Sequence, residues 1–133
     1  MIKAKKDLGQ NFLIDEVALN KIIEIINPNK KEHFLEIGPG QGALTKFLAK
    51  NTRRLDAVEL DKDLLLGLRL INAEELFIHN ENILDFDIRK VLENGKLRIV
   101  GNLPYNISTD IMLWTFQNLN YFKDIHFMFQ KEF

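Results

Sequence analysis

The segment HFLEIGPGQG, residues 33–42, constrains this chain more than any other. An apolar run of strand length ends in three closely spaced glycines, and a helical pattern begins at once. Glycines in such a place let the backbone turn sharply and come close to a ligand. The helix that follows points its unpaired N–H groups into the same space.

The rest of the chain repeats this alternation. Residues 15–26 are expected to form a helix: Asp15 suits an N-cap, Leu19, Ile22, Ile23 and Ile26 keep helical spacing, and Pro28 ends the run. Strands are expected at His33–Ile37, Leu55–Leu60, Leu76–His79, Leu97–Gly101 and Ile125–Phe129. Helices are expected at Ala43–Lys50, at Lys62–Ile71, at Asp87–Glu93 with Gly95 as a left-handed C-cap, and from a Ser108 cap to Gln117. Nearly continuous apolar strands separated by helices predict a parallel sheet covered on both faces, with right-handed crossovers. The expected fold class is α/β, a doubly wound, mainly parallel, Rossmann-like sheet. At 133 residues, the chain fits one domain, 1–133. Ligands of such sheets lie at the carboxyl ends of strands near the switch point.

Composition narrows the function classes. Without cysteine there is neither a disulfide nor a thiolate metal site, and no metal ligand set is expected. MIKAKKDLGQ is basic but lacks the apolar run of a signal peptide, and LLLGLRLI is short and contains Arg69. The expectation is a cytoplasmic chain without membrane contact. The net charge of −1 gives no overall sign of a nucleic-acid binder. Lys3, Lys5 and Lys6, Lys30 and Lys31, and Lys50, Arg53 and Arg54 read from charge alone as solvated surface.

The glycine turn by itself leaves two ligands open. Gly38, Gly40 and Ala43 loosely satisfy a dinucleotide fingerprint, so both a nicotinamide dinucleotide and S-adenosylmethionine remain candidates. Glu59, about 20 residues further on at a strand end, suits a ribose diol in either ligand. Glu36, just before the turn, would repel a pyrophosphate but could favour the cationic methionine end of S-adenosylmethionine; it could equally orient the local backbone. In HNENIL, Asn82 with Glu81 and Asp85 nearby sits at the third strand end, and its side-chain carbonyl can accept from an adenine amine.

VGNLPYNIST, residues 100–109, supplies the reacting end. NLPY offers no acid, base or metal ligand suited to neutral pH, which matches chemistry on an exocyclic amine whose lone pair is delocalised into its ring. Two acceptors out of the ring plane would localise that lone pair: the Asn102 side-chain oxygen and the Leu103 carbonyl. Pro104 holds Leu103 extended, and Tyr105 presents a flat face for an extruded base, worth roughly 1–3 kcal/mol.

DLGQNFLID, LEIGPGQGALT, AVELD, VGNLPYNIST and FMFQKE together resemble the ribosomal RNA small-subunit adenine N6,N6-dimethyltransferases, in order and through the whole chain. The resemblance implies a class I methyltransferase fold and dimethylation of two adjacent adenosines of small-subunit rRNA in the immature 30S particle. It implies cofactor contacts at Asn11, Leu13, Gly38, Gly40, Glu59, Asn82 and Asn102, with Gln10 and Phe12 closing over the cofactor. It implies target-base roles for Asn102 and Tyr105, which with Leu103 and Pro104 as read above make up the catalytic segment, and a monomer when full length. Asn82 stands where the family usually has Asp. The family also continues past QKE with further strands, an aromatic-bearing loop and a helical domain. The expectation is therefore an N-terminal piece, truncated after about the fifth strand, with sheet edge uncovered and with RNA docking and full activity impaired. GQNFLID and Leu103 favour this group over the related large-subunit enzymes of erythromycin resistance. A non-catalytic ribosome-assembly factor and a nicotinamide dinucleotide oxidoreductase are the other readings.

Overall fold

A computed structural model of the protein describes residues 15–129. Its first helix, α1 (Glu16–Ile26), begins where expected: the Asp15 carboxylate accepts from the Val17 and Ala18 N–H groups. It ends at Asn27, whose φ of 46° is left-handed, and Pro28 prevents continuation.

Five strands form one sheet: β1 (His33–Ile37), β2 (Arg54–Val58), β3 (Leu76–His79), β4 (Leu97–Leu103) and β5 (Phe122–Phe129). All neighbours are parallel, in the order β3-β2-β1-β4-β5. The chain thus winds outward from β1 to β3, then crosses back to place β4 on the other side of β1. The crevice between the carboxyl ends of β1 and β4 is the topological switch point.

Helices α2 (Ala43–Asn51), α3 (Leu65–Arg69) and α4 (Ser108–Gln117) complete the element list together with several single 3-10 turns. One face of the sheet buries Phe34, Leu55 and Val100 with Ile26 of α1 and Leu44 and Leu48 of α2. The other buries Leu35, Ile37, Val58, Ile99 and Leu103 with Ile83, Phe86, Ile88, Ile111 and Trp114. Alternate residues of each strand serve opposite cores, so continuous apolar strands follow from the three-layer design. No helix among the described residues is long and apolar enough to cross a membrane.

Several boundaries differ from expectation. The Lys62–Ile71 helix is a 3-10 turn, Lys62–Leu64, leading into α3. The Asp87–Glu93 helix is only a 3-10 turn at Ile88–Lys90, and Gly95, at φ 132°, lies too far beyond it to cap it. Ser108 is the first residue of α4 rather than its cap; its Oγ donates to the Tyr105 carbonyl at 3.0 Å, closing the preceding 3-10 turn. β2 ends at Val58, leaving Glu59 and Leu60 in the turn beyond it, and β5 begins three residues earlier than Ile125.

Candidate active site

Residues from four strand ends meet at the switch-point edge. Gly38 follows β1 directly and still donates its N–H to the Val58 carbonyl at 3.0 Å. It then turns at φ 66°, a conformation open to glycine. A Cβ there would stand 3.3 Å from the main-chain oxygen of Asn102, so glycine lets the β1 turn lie against the end of β4. Gly40 is also left-handed, at φ 61°, and Gly42 leads into α2 with its Cβ position closed off by Leu68 and Ile71.

Glu59 ties this turn to the end of β2. Its Oε1 accepts from the Gly40 N–H at 3.2 Å and its Oε2 from the Asp61 N–H at 2.9 Å. Burial pushes its carboxyl above the usual range, against the pull of those two N–H donors. Glu36 lies wholly inside, and its Oε1 accepts from Thr45 Oγ1 of α2 at 2.7 Å. Burial, opposed by that hydrogen bond and reinforced by the neighbouring Glu59 charge, raises its pKa to about 7. An acidic pair beneath a glycine turn is hostile to a pyrophosphate and suited to a ligand carrying a cation and a ribose.

At the third strand end, Asn82 caps a 3-10 turn, Ile83–Asp85, its Oδ1 accepting from the Leu84 N–H at 3.0 Å. A side-chain carbonyl oxygen can accept a second hydrogen bond beside this one. Asn80 precedes it, with its Nδ2 on the Glu59 and Leu60 carbonyls at 2.9 and 3.2 Å.

The fourth end carries NLPY. β4 runs to Leu103, so Asn102 lies within the strand, half-buried, in register with Met128 of β5. Strand alternation puts it on the same face as Val100 and, across the register, Glu36. Leu103 is fully buried on the other face, in extended conformation before Pro104. Pro104, at φ −60° and ψ 137°, opens the 3-10 turn Tyr105–Ile107, and Tyr105 stands 57% exposed beside it. Asn102, Leu103, Pro104, Tyr105, Gly38, Gly40, Glu59 and Asn82 therefore all lie along one edge. Asn11 and Leu13, with Gln10 and Phe12, lie outside the described residues.

Comparison with known proteins gives the family. The family model described as ribosomal RNA adenine dimethylase matches residues 1–133. The chain belongs to that family. It is 45% identical over 133 residues to the ribosomal RNA small subunit methyltransferase A of Pseudomonas aeruginosa, covering 98% of this chain and 50% of that protein. The protein of the same name from Methylococcus capsulatus is 41% identical over 130 residues, 96% of this chain and 51% of the relative. The chain thus spans about half the length of these curated relatives. Among solved structures, the 23S rRNA methyltransferase ErmE aligns with a TM-score of 0.75 and 27% identity, over 90% of this chain and 48% of that one. A dimethyladenosine transferase from Plasmodium falciparum aligns at 0.77 with 22% identity, over 91% and 44%, and attests the fold alone.

For a dimethylase-family chain, S-adenosylmethionine is the implied cofactor, and the residues present fit it. The Gly38 cradle, which a Cβ would narrow against Asn102, admits a ligand close to backbone, and the acidic Glu36–Glu59 pair suits a cationic one. Among the described residues, no group of three or more His, Cys, Asp or Glu could hold a metal ion. Sequence reasoning missed Asn80 and Thr45, whose roles depend on which strands and helices become neighbours.

Proposed function

We propose that the protein carries the cofactor and target-base machinery of an enzyme that dimethylates the N6 amines of two adjacent adenosines in small-subunit rRNA. Its substrate is the immature 30S particle, its setting cytoplasmic ribosome biogenesis, and its working form a monomer that binds RNA. The observation that carries this reading is the approach of Gly38 to the Asn102 main-chain oxygen, which brings the cofactor turn and the target-base segment into contact.

Gly38 and Gly40 hold the cofactor close to backbone, with Asn11 and Leu13 contributing from the N-terminal segment. Glu59 accepts from the ribose hydroxyls, Asn82 from the adenine amine, and Glu36 faces the cationic end. S-adenosylmethionine, when bound, supplies an electrophilic methyl group. Tyr105 stacks on the extruded adenine. The Asn102 side-chain oxygen and the Leu103 carbonyl accept from the two amine N–H groups, drawing the lone pair out of conjugation and toward the methyl. The amine needs no prior deprotonation, so a neutral site suffices, and its proton passes to water after attack. Rate acceleration then rests on orientation and on fixed dipoles.

The test is transfer of labelled methyl groups to immature 30S particles. Asn102→Ala should lower the rate by roughly 100-fold or more, the scale for losing a placed dipole. Transfer that survives the substitution removes Asn102 from this role. The likeness to ErmE favours one second reading, a large-subunit rRNA substrate, and label entering 23S rRNA instead of 30S particles would select it.

A further inference from the structure

The loop that carries Glu59 lies beyond the end of the β2–β3 ladder, and something other than a strand partner must hold it. The last backbone bond of that ladder runs from the Glu59 N–H to the His79 carbonyl, at 2.9 Å. One further rung would set a backbone N–H of β3's continuation against the Glu59 carbonyl. The chain instead turns away after His79 toward the Asn82-capped turn. The Asn80 side chain takes the vacated position: one Nδ2 serves the Glu59 carbonyl at 2.9 Å and the Leu60 carbonyl at 3.2 Å. Two successive carbonyls are thereby held by a single amide, which fixes the peptide plane between Glu59 and Leu60.

We infer that Asn80 is a positioning residue for the ribose end of the cofactor site, acting by clamping the backbone on which Glu59 is mounted. The inference rests on Glu59 as the ribose acceptor proposed above. The carboxylate of Glu59 is held from its outer end by the Gly40 and Asp61 N–H groups, and its main chain is held by Asn80. Without the Asn80 clamp the Glu59–Leu60 peptide, beyond the N–H held by His79, can turn, and the carboxylate would shift relative to the glycine turn. The same clamp sets the neighbouring Leu60, whose side chain is 51% exposed at this edge although it is aliphatic.

Asn80→Asp is the informative change, because it keeps the size and replaces both N–H donors with acceptors facing two carbonyls. Asn80→Ala, smaller and uncharged, serves as the second variant should the charge perturb folding. Calorimetric titration with S-adenosylmethionine and with its 2′-deoxyribose analogue would be run on wild type, both variants, Glu59→Gln, and each Asn80 change combined with Glu59→Gln. Either Asn80 change should weaken S-adenosylmethionine about tenfold, the scale of losing one to two well-placed hydrogen bonds. Discrimination between ribose and 2′-deoxyribose should shrink with it. In the Glu59→Gln background the tenfold penalty should largely disappear, because the group being positioned is already altered. A penalty of equal size in both backgrounds, or none in the wild-type background, overturns the inference while leaving the role of Glu59 intact. Absence of S-adenosylmethionine binding by the wild type would overturn the underlying functional reading and this inference with it.

Discussion

At the scale of single residues, the site joins groups whose chemistry was plain from the sequence to groups whose state depends on the fold. Gly38 belongs to the first kind: a strand followed by spaced glycines announces a backbone approach, and the structure makes Asn102 the group approached. Gly38→Ala would strain a left-handed residue, at roughly 1–2 kcal/mol, and press a methyl toward the Asn102 oxygen. Thermal denaturation should register that loss, and cofactor binding should weaken in the same variant; an unchanged affinity would show that the close approach has no bearing on the ligand. Glu36 belongs to the second kind. Its position before the turn was legible, but its ionisation depends on burial against α2 and on Thr45, which lies nine residues away in sequence. A carboxyl whose folded pKa stands near 7 instead of 4.5 favours the native state while it is neutral. That stabilisation is complete below about pH 4.5 and is lost as the pH rises through about 7, to a total of roughly 3 kcal/mol. Glu36→Gln stays neutral throughout, so urea denaturation at about pH 5 and about pH 8 should show the variant gaining about 2.5 kcal/mol on the wild type between the two. A constant difference would mean that Glu36 titrates as an ordinary carboxyl.

Elements show where local pattern reading stops. The strands and α1, α2 and α4 were legible because each spans enough residues for its apolar periodicity to register. The single 3-10 turns were not, because three residues carry no period. Each of three such turns starts instead from one device, a side-chain oxygen accepting the N–H two residues on: Asp61 with Asp63, Asn82 with Leu84, Asp87 with Arg89. Contacts between distant elements were equally hidden. Arg98, in β4 and nearly buried, donates to Glu32 at 2.8 Å, to Asp124 of β5 at 2.9 Å, and to the Ile26 and Asn27 carbonyls that end α1. Burial pushes the Asp124 carboxyl up, but the Arg98 and His126 hydrogen bonds outweigh it and hold it below the usual range. One guanidinium thus replaces the cap that basic residues in the last turn of α1 would have supplied, since that turn has none. Arg98→Ala should cost about 3 kcal/mol in urea denaturation by removing the nearly buried donor that Glu32, Asp124 and two carbonyls share. Amide exchange should accelerate around Asn27; if it rises equally everywhere, Arg98 supports the whole sheet and not this junction in particular.

For the molecule as a whole, the switch point makes the proposed cofactor site a junction between two parts of the sheet. The glycine turn and Glu59 belong to the β1–β2–β3 part, and Asn102 to the β4–β5 part. A second polar cluster ties the first part together at depth: Asp56 of β2, fully buried, bonds His33 of β1 at 2.7 Å, His79 of β3 at 2.8 Å, and Arg54. Burial opposes ionisation of Asp56, yet these partners win and hold its carboxyl far below the usual range. Its contribution is accordingly present above the ordinary carboxylate pKa and lost only in strong acid, opposite in sign to that of Glu36. A ligand bridging the two parts stabilises only the state in which they are docked, so its affinity converts into melting temperature. At about 100 times its dissociation constant, S-adenosylmethionine should add about 2.7 kcal/mol, near 10 °C for a chain of this size. NAD should add nothing above about pH 7, where Glu36 is ionised and the pyrophosphate would meet the acidic pair beneath the turn. The two ligands share an adenosine, so the contrast isolates what the acidic pair does. Equal stabilisation by NAD would mean that the glycine turn admits a pyrophosphate after all, and the assignment of this edge to a cationic cofactor would fail with it.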